Sequence, residues 1–180
     1  MSVVMDQLSQ DHIHIARLLD FIDREVVKAG EEPGPEVGLL RDVMRYMTSY
    51  PDLYHHPLED QLFAELRGHP DAGPGEITAI QAEHTEILLL GRRFLDTLEQ
   101  LMMDEGVRVD AFVGMAREYT AMQRRHLHRE ERGLFRLARE TLTPQEWAEL
   151  DAGFARAPDP VFGQGVKRMY ETLSRALAQG

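Results

Sequence analysis

Four stretches of the chain carry apolar residues at steps of three and four, the spacing that lines one face of an α-helix. The first, predicted from about Met5 to Ala29, presents Met5, Leu8, His12, Ile15, Leu19, Ile22 and Val26. The second presents Leu40, Val43, Met44 and Met47, then Glu59, Leu62 and Leu66, and the third Ile77, Ile80, His84, Ile87, Gly91, Phe94, Leu98 and Leu101. The fourth, predicted from an N-cap at Asp110 to about Glu140, presents Phe112, Met115, Tyr119, Met122, His126, Glu130, Gly133 and Leu137. Each stripe is broken by His or Glu where a core side chain belongs. An unpaired carboxylate there would cost several kcal/mol or stay protonated, so these positions call for compensating partners.

The connections agree with four helices. Gly30 ends the first, and Glu31 to Pro35 is a loop; Arg67 to Pro74, with two glycines and two prolines, is a turn in which His69 is a solvated residue. Asp104 to Gly106 closes the second pair. Pro51 and Pro57 interrupt the second helix, which predicts a kink or bulge around Tyr50 to Pro57. Such a distortion could turn His55 and His56 both inward; in a regular helix one of the two would face solvent. Gly91, inside a helical run, marks close helix approach or room beside a site. The arginines 124, 125, 129, 132, 136 and 139 read as a solvated helix face.

Beyond residue 140, Thr143-Pro-Gln-Glu146 is a capping box opening a short helix through Trp147, Leu150 and Phe154. Ala157 to Pro160 breaks it, and a last helix is predicted from about Gly165 to Ala178. The expected organisation is therefore an all-α chain. Residues 1–140 form an antiparallel four-helix bundle built from two helical hairpins, and residues 141–180 a C-terminal helical extension, packed on the bundle or at a homodimer contact.

The polar interruptions repeat. His55-His-Pro-Leu-Glu59 matches His126-Leu-His-Arg-Glu130, and Asp11-His12 followed by Ile15 and Leu18 matches Glu83-His84 followed by Ile87 and Leu90. His12 and His84 are 72 residues apart, His55 and His126 71, so the chain reads as two copies of one hairpin. Each copy supplies one His from its first helix and a His-x-x-x-Glu from its second, a site shared by facing helices around a pseudo-twofold axis.

Composition narrows the chemistry. A net charge of −11 argues against nucleic acid as partner. The absence of cysteine removes disulfides, thiolate zinc sites, iron–sulfur clusters and covalent haem attachment. No apolar run reaches the length of a membrane span, and Met1 to Gln10 has no signal-peptide pattern, so a cytoplasmic location is expected. What remains is a set of imidazoles and carboxylates: His12, His55, Glu59, His84, His126 and Glu130, with His56 as a seventh. Such donors favour iron first, then manganese or zinc. Four ligands complete one zinc site; six or seven serve two octahedral metals with the glutamates between them, and leave a vacancy for a small diatomic ligand or peroxide. Tyr50, Tyr54 and Tyr119 are aromatic neighbours of that site, and they, with Met44, Met47, Met115 and Met122, read first as core packing.

Through Asp11-His12, His55-His56-Pro-Leu-Glu59-Asp60, Glu83-His84 and His126-Leu-His-Arg-Glu130-Glu131, the chain from about Leu8 to Leu137 resembles the hemerythrin-like, HHE cation-binding family. The resemblance implies a four-helix bundle around a non-haem di-iron centre, with His12, His55, Glu59, His84, His126 and Glu130 at ligand positions. Oxygen-carrying members place a further His one turn after the third-helix ligand, where this chain has Leu88, and their last carboxylate falls at the position of Glu131. Those departures point to the bacterial branch of sensing, iron-handling and stress-response proteins. Three functions compete: binding or sensing of oxygen, nitric oxide or peroxide; an enzyme with peroxidase-like, nitric-oxide-reducing or iron-delivering activity; and a metal-free helical interaction module.

Overall fold

A serine hydroxyl sets the start of the chain's first helix. Ser2 caps α1 (Val3–Val26), accepting from the Met5 N–H, and so begins the helix two residues before the stripe does. The structure, a computed structural model, describes residues 2–69, 71–155 and 158–179, and among these every regular element is helical. After α1 come α2 (Val37–Met47), a π-helical turn (Pro51–His55) and α3 (His56–Leu66). The second half holds α4 (Pro74–Met102), α5 (Val109–Arg132) and α6 (Leu134–Thr141), followed by α7 (Pro144–Gly153), a 3₁₀ turn (Arg168–Tyr170) and α8 (Glu171–Gln179). None of these helices is long and apolar enough to cross a membrane.

The second predicted helix is broken where its prolines require. Pro51 and Pro57 have no N–H to donate, and the His56 N–H reaches five residues back to the Pro51 carbonyl, inserting one extra residue into the turn. Pro57 is thereby left in the first turn of α3, where a missing donor costs nothing. The fourth predicted helix is also two. Gly133, expected on the buried stripe, is exposed and leaves helical geometry with φ −100° and ψ −92° between α5 and α6. A Cβ at this position would lie 2.6 Å from the Arg129 carbonyl oxygen, so the break demands glycine. Asp110 is not the cap of α5 either: Arg108 occupies that position, and Asp110 pairs with its guanidinium.

Two apolar clusters form the interior. One gathers Ile15 to Val26, Leu40 to Tyr50, Ile87 to Leu98 and Phe112 to Tyr119, with Val161, Tyr170, Leu173 and Leu177 laid against it. The other joins Val4 to Leu8, Leu58 to Leu66, Ile77, Ile80 and Leu134 to Ala138, with Leu142 and Leu150. At Gly91 the helices come close: an added Cβ would stand 3.0 Å from Thr48 Cγ2 and 3.2 Å from Tyr119 Cε2. Gly91→Ala is expected to gain up to about 1 kcal/mol of helix propensity but lose more to overpacking. A net loss of about 1 kcal/mol, or roughly 3 °C in a thermal melt, is the expected reading.

The C-terminal segment packs on the bundle. α7 lies against α1 and α3 and α8 against α2. The capping box is present, with Thr143 Oγ1 accepting from the Glu146 N–H. His69, expected to be solvated, instead lies 3.1 Å from Glu146 Oε1; its neighbour Pro70 and the expected break at Ala157 fall outside the described residues. The last helix is shorter than expected because residues up to Lys167 are held in a loop, the Lys167 N–H donating to the Pro160 carbonyl. Buried Asp159 ties that loop down, accepting from the backbone N–H of Val161 and Phe162, the Tyr46 hydroxyl and the His14 ring. The expected arginine face is partly paired: Arg124 with Asp20 and Asp23, Arg129 with Glu76 and Glu83, Arg136 with Glu140.

Candidate metal centre

Between the two apolar clusters runs a single polar layer. Each long path through the bundle crosses it, and at the crossing stand His12 on α1, His55 and Glu59 at the π-turn and α3, His84 on α4, and His126 and Glu130 on α5. All six are buried, and both carboxylates have no solvent exposure. The histidines and glutamates singled out in the sequence therefore meet at one level.

Their reactive atoms face one another. His12 Nε2 is 3.5 Å from Glu59 Oε1 and 3.4 Å from Glu130 Oε2. His84 Nε2 is 3.3 Å from Glu59 Oε2 and 3.4 Å from Glu130 Oε1. His55 Nε2 lies 3.2 Å from Glu59 Oε1, and His126 Nε2 lies 3.1 Å from Glu130 Oε1. Each carboxylate thus serves three imidazoles, two of which they share. Yet His12 Nε2, both Glu59 oxygens and Glu130 Oε2 make no well-formed hydrogen bond among the described residues. Buried polar atoms are rarely left so, and a group of them turned toward one another is an arrangement that a shared cation would satisfy.

The outer ring nitrogens are fixed. His55 Nδ1 donates to Asp11 at 3.3 Å, His126 Nδ1 to Glu83 at 3.0 Å and His12 Nδ1 to Glu131 at 3.0 Å. A carboxylate only accepts, so each bond holds a proton on Nδ1 and makes Nε2 the nitrogen that would offer a lone pair inward once its own proton leaves. Motif reading left these braces without a role. The signal was present, since Asp11 and Glu83 precede the first His of each repeat, and each supports the His of the following helix in its own hairpin.

His56 stands at the rim. Its ring stacks on His84 with centroids 4.0 Å apart and planes at 7°, and its Nδ1 lies 3.4 Å from Asp52. Ligand atoms of His56, Glu59, His84 and His126 all lie within 4.8 Å of one another, as do those of His12, His55 and Glu59. A cleft of about 390 Å³, lined by Asp52, His56, Gln81, His84 and Leu88, leads from solvent to this edge. His14 is turned away to Asp159, and His128 is exposed. Of the tyrosines, Tyr54 is exposed, Tyr50 places its hydroxyl 3.5 Å from Asp11, and Tyr119 packs near Phe94 with its oxygen accepting from Gln123.

Electrostatics bind the cluster to itself. Burial disfavours charge on His55, but the Glu59 charge and the contacts to Asp11 and Glu59 outweigh it and raise the ring to about 9. On His84 burial is likewise overcome, by Glu130 and Glu59, to about 10, and His12 is raised in the same way by Glu130, Glu131 and Glu59. Glu59 is held well below its ordinary value against the cost of burial, chiefly by His55. Glu130, despite burial and the neighbouring Glu59 charge, is held at about 2 by His12, His126 and His84. His56 goes the other way, down to about 3, because burial and the charge on His84 both oppose its protonation. The set of donors suits a cation that displaces those protons: two anionic carboxylates, imidazoles whose Nε2 atoms face inward, and no thiolate.

Compared with known proteins, residues 3–138 match the family model described as Hemerythrin HHE cation binding domain. No curated protein and no solved structure matches the chain.

Proposed function

Starting from the fact that the chain belongs to the hemerythrin HHE cation-binding family, we propose that the buried layer holds non-haem iron as a di-iron centre in an antiparallel four-helix bundle. The protein would use it to bind or sense a small ligand such as oxygen, nitric oxide or peroxide, or to handle iron. The observation that carries this reading is the group of buried Glu59, Glu130 and His12 atoms facing one another without hydrogen bonds. Glu59 belongs to both groups of mutually close donors, and Glu130 reaches imidazoles of both hairpins, as two cations sharing carboxylates would require. Iron bound there would supply redox activity and an open coordination position.

The chain's own groups supply the rest. Asp11, Glu83 and Glu131 orient the rings, the apolar clusters on either side exclude water, and the cleft at His56 admits a small molecule. His56 replaces the imidazole missing at Leu88: the two residues line the same cleft, and His56 is neutral at pH 7, with no proton to displace. His56→Ala is expected to keep one iron per chain through dialysis and lose the second, whereas His128→Ala keeps both; metal analysis separates them.

The decisive experiment is metal content per chain together with an absorption spectrum before and after oxygen or azide. Two iron ions and a band that shifts with azide are expected. Protein that carries no transition metal and takes none up would sink the proposal and leave the metal-free module. The solvent-facing cleft also favours a second reading, an enzyme that exchanges reactants through it; sustained consumption of peroxide or nitric oxide, instead of one stoichiometric change, would select it.

A further inference from the structure

The duplication lets one half of the molecule serve as a reference for the other. Ser9, His12 and Arg139 stand 72 residues from Gln81, His84 and Arg67, and Glu131 stands 71 from Asp60. Around His12 these residues form a brace. Glu131 Oε1 accepts from His12 Nδ1 at 3.0 Å, while Arg139 donates to Ser9 Oγ at 3.0 Å and lies 3.7 Å from Glu131. The His12 ring also stacks on the fully buried Phe135, centroids 4.9 Å apart.

Around His84 the same four positions are wired differently. Asp60 is one methylene shorter than Glu131, and Gln81, longer than Ser9, intercepts it: Gln81 Nε2 donates to Asp60 Oδ1 at 2.5 Å and Gln81 Oε1 accepts from Arg67 at 2.6 Å. His84 Nδ1 is left without a hydrogen bond among the described residues, where His12, His55 and His126 each have a carboxylate. The ring is held from its inward edge, by the Glu59 and Glu130 contacts that an arriving cation would take over. Its stacking partner is not a buried phenylalanine but His56, at the rim. Both line the cleft, with Asp52 and Asp60 on the walls and no lysine or arginine among the lining residues. Such a mouth attracts cations.

We propose that His84 is the mobile ligand of the layer, turning toward the cleft to receive or release a divalent cation, and that Asp60, held off by Gln81, is the position that leaves it free. The three braced imidazoles stay in place and keep the rest of the layer formed. Passage of a cation rests on the metal reading above; the freedom of the ring does not.

Ring N–H exchange in the metal-free protein tests that freedom. With isotope-labelled histidine, NMR should show the Nδ1–H protons of His12, His55 and His126 protected from water, and that of His84 exchanging at least about tenfold faster, the worth of one hydrogen bond to a charged group. Asp60→Glu combined with Gln81→Ser copies the His12 arrangement. It should slow His84 exchange to the level of His12 and, in iron-loaded protein, slow release of iron to a strong chelator by roughly tenfold, the lower end of what such a brace is worth. The reverse pair, Glu131→Asp with Ser9→Gln, should speed His12 exchange by a similar factor. A His84 proton as protected as the other three, or one whose exchange is the same in the Asp60→Glu, Gln81→Ser protein, would overturn the proposal. Slowed exchange with unchanged iron release would overturn the passage of a cation alone. Protein that takes up no iron yet shows fast His84 exchange would keep the free ring and sink that passage together with the metal reading.

Discussion

Glu59→Ala and Glu130→Ala are each expected to purify without iron and to fail to take it up, with affinity lowered by more than about a hundredfold. Each carboxylate meets three imidazoles from both hairpins, so its loss removes charge and connection together. Loss of a mere brace costs about 10- to 100-fold in other metal proteins, and a direct donor should cost more. The stability consequence follows from linkage. At free metal about a thousand times its dissociation constant, binding adds about 4 kcal/mol, or roughly 10 °C for a chain of this size. Wild-type protein should show that rise in melting temperature on adding iron, and the two variants should not. His14→Ala and His69→Ala should take up iron as wild type does, since His14 turns to Asp159 and His69 to Glu146; iron loss in either would mean the wrong layer has been identified.

Acidity should act in opposite senses on metal-free and metal-loaded protein. In the metal-free protein His55 is raised to about 9 and His84 to about 10, so their stabilising contribution is complete below the unfolded value of about 6.5 and fades as pH rises through those figures. Glu59 and Glu130 are lowered, so theirs is complete above about 4.5 and fades as pH falls, for Glu130 toward about 2. His56, lowered to about 3, resists protonation in the fold and so costs stability as pH falls below about 6.5; metal-free protein should therefore be most stable near pH 6.5. Iron needs the inward lone pairs that those protons occupy, so its affinity rises with pH and its binding releases protons. The gap in melting temperature between the two forms should widen steadily from pH 6 to 9. A gap independent of pH would show that the raised histidines are not displaced by the ion.

Much of this was legible in the spacing of a few residues. The stripes of α1 and α4 are buried where periodicity puts them, because an apolar face either meets a partner or costs free energy. The distortion at Pro51 and the capping box at Thr143 follow from single-residue chemistry. The convergence of His12, His55, His84 and His126 was visible as a repeat of about 72 residues. Gly133 was misplaced because its N–H still donates to Arg129 at 2.8 Å, so the pattern continues across a break that only dihedrals reveal. The braces on His55 and His126 act across 44 and 43 residues, and the His69 contact across 77, distances over which periodicity says nothing.

The π-turn carries a penalty that a tidier protein could avoid. Deleting one residue between Pro51 and Tyr54 would remove the extra residue from the turn, and would also rotate everything after it by about 100° relative to α2. Such a shortened chain could keep Met44 and Met47 in the interior or Glu59 at the centre, never both. The extra residue is a clutch between two registers, letting one rod satisfy oil at one end and an ion at the other.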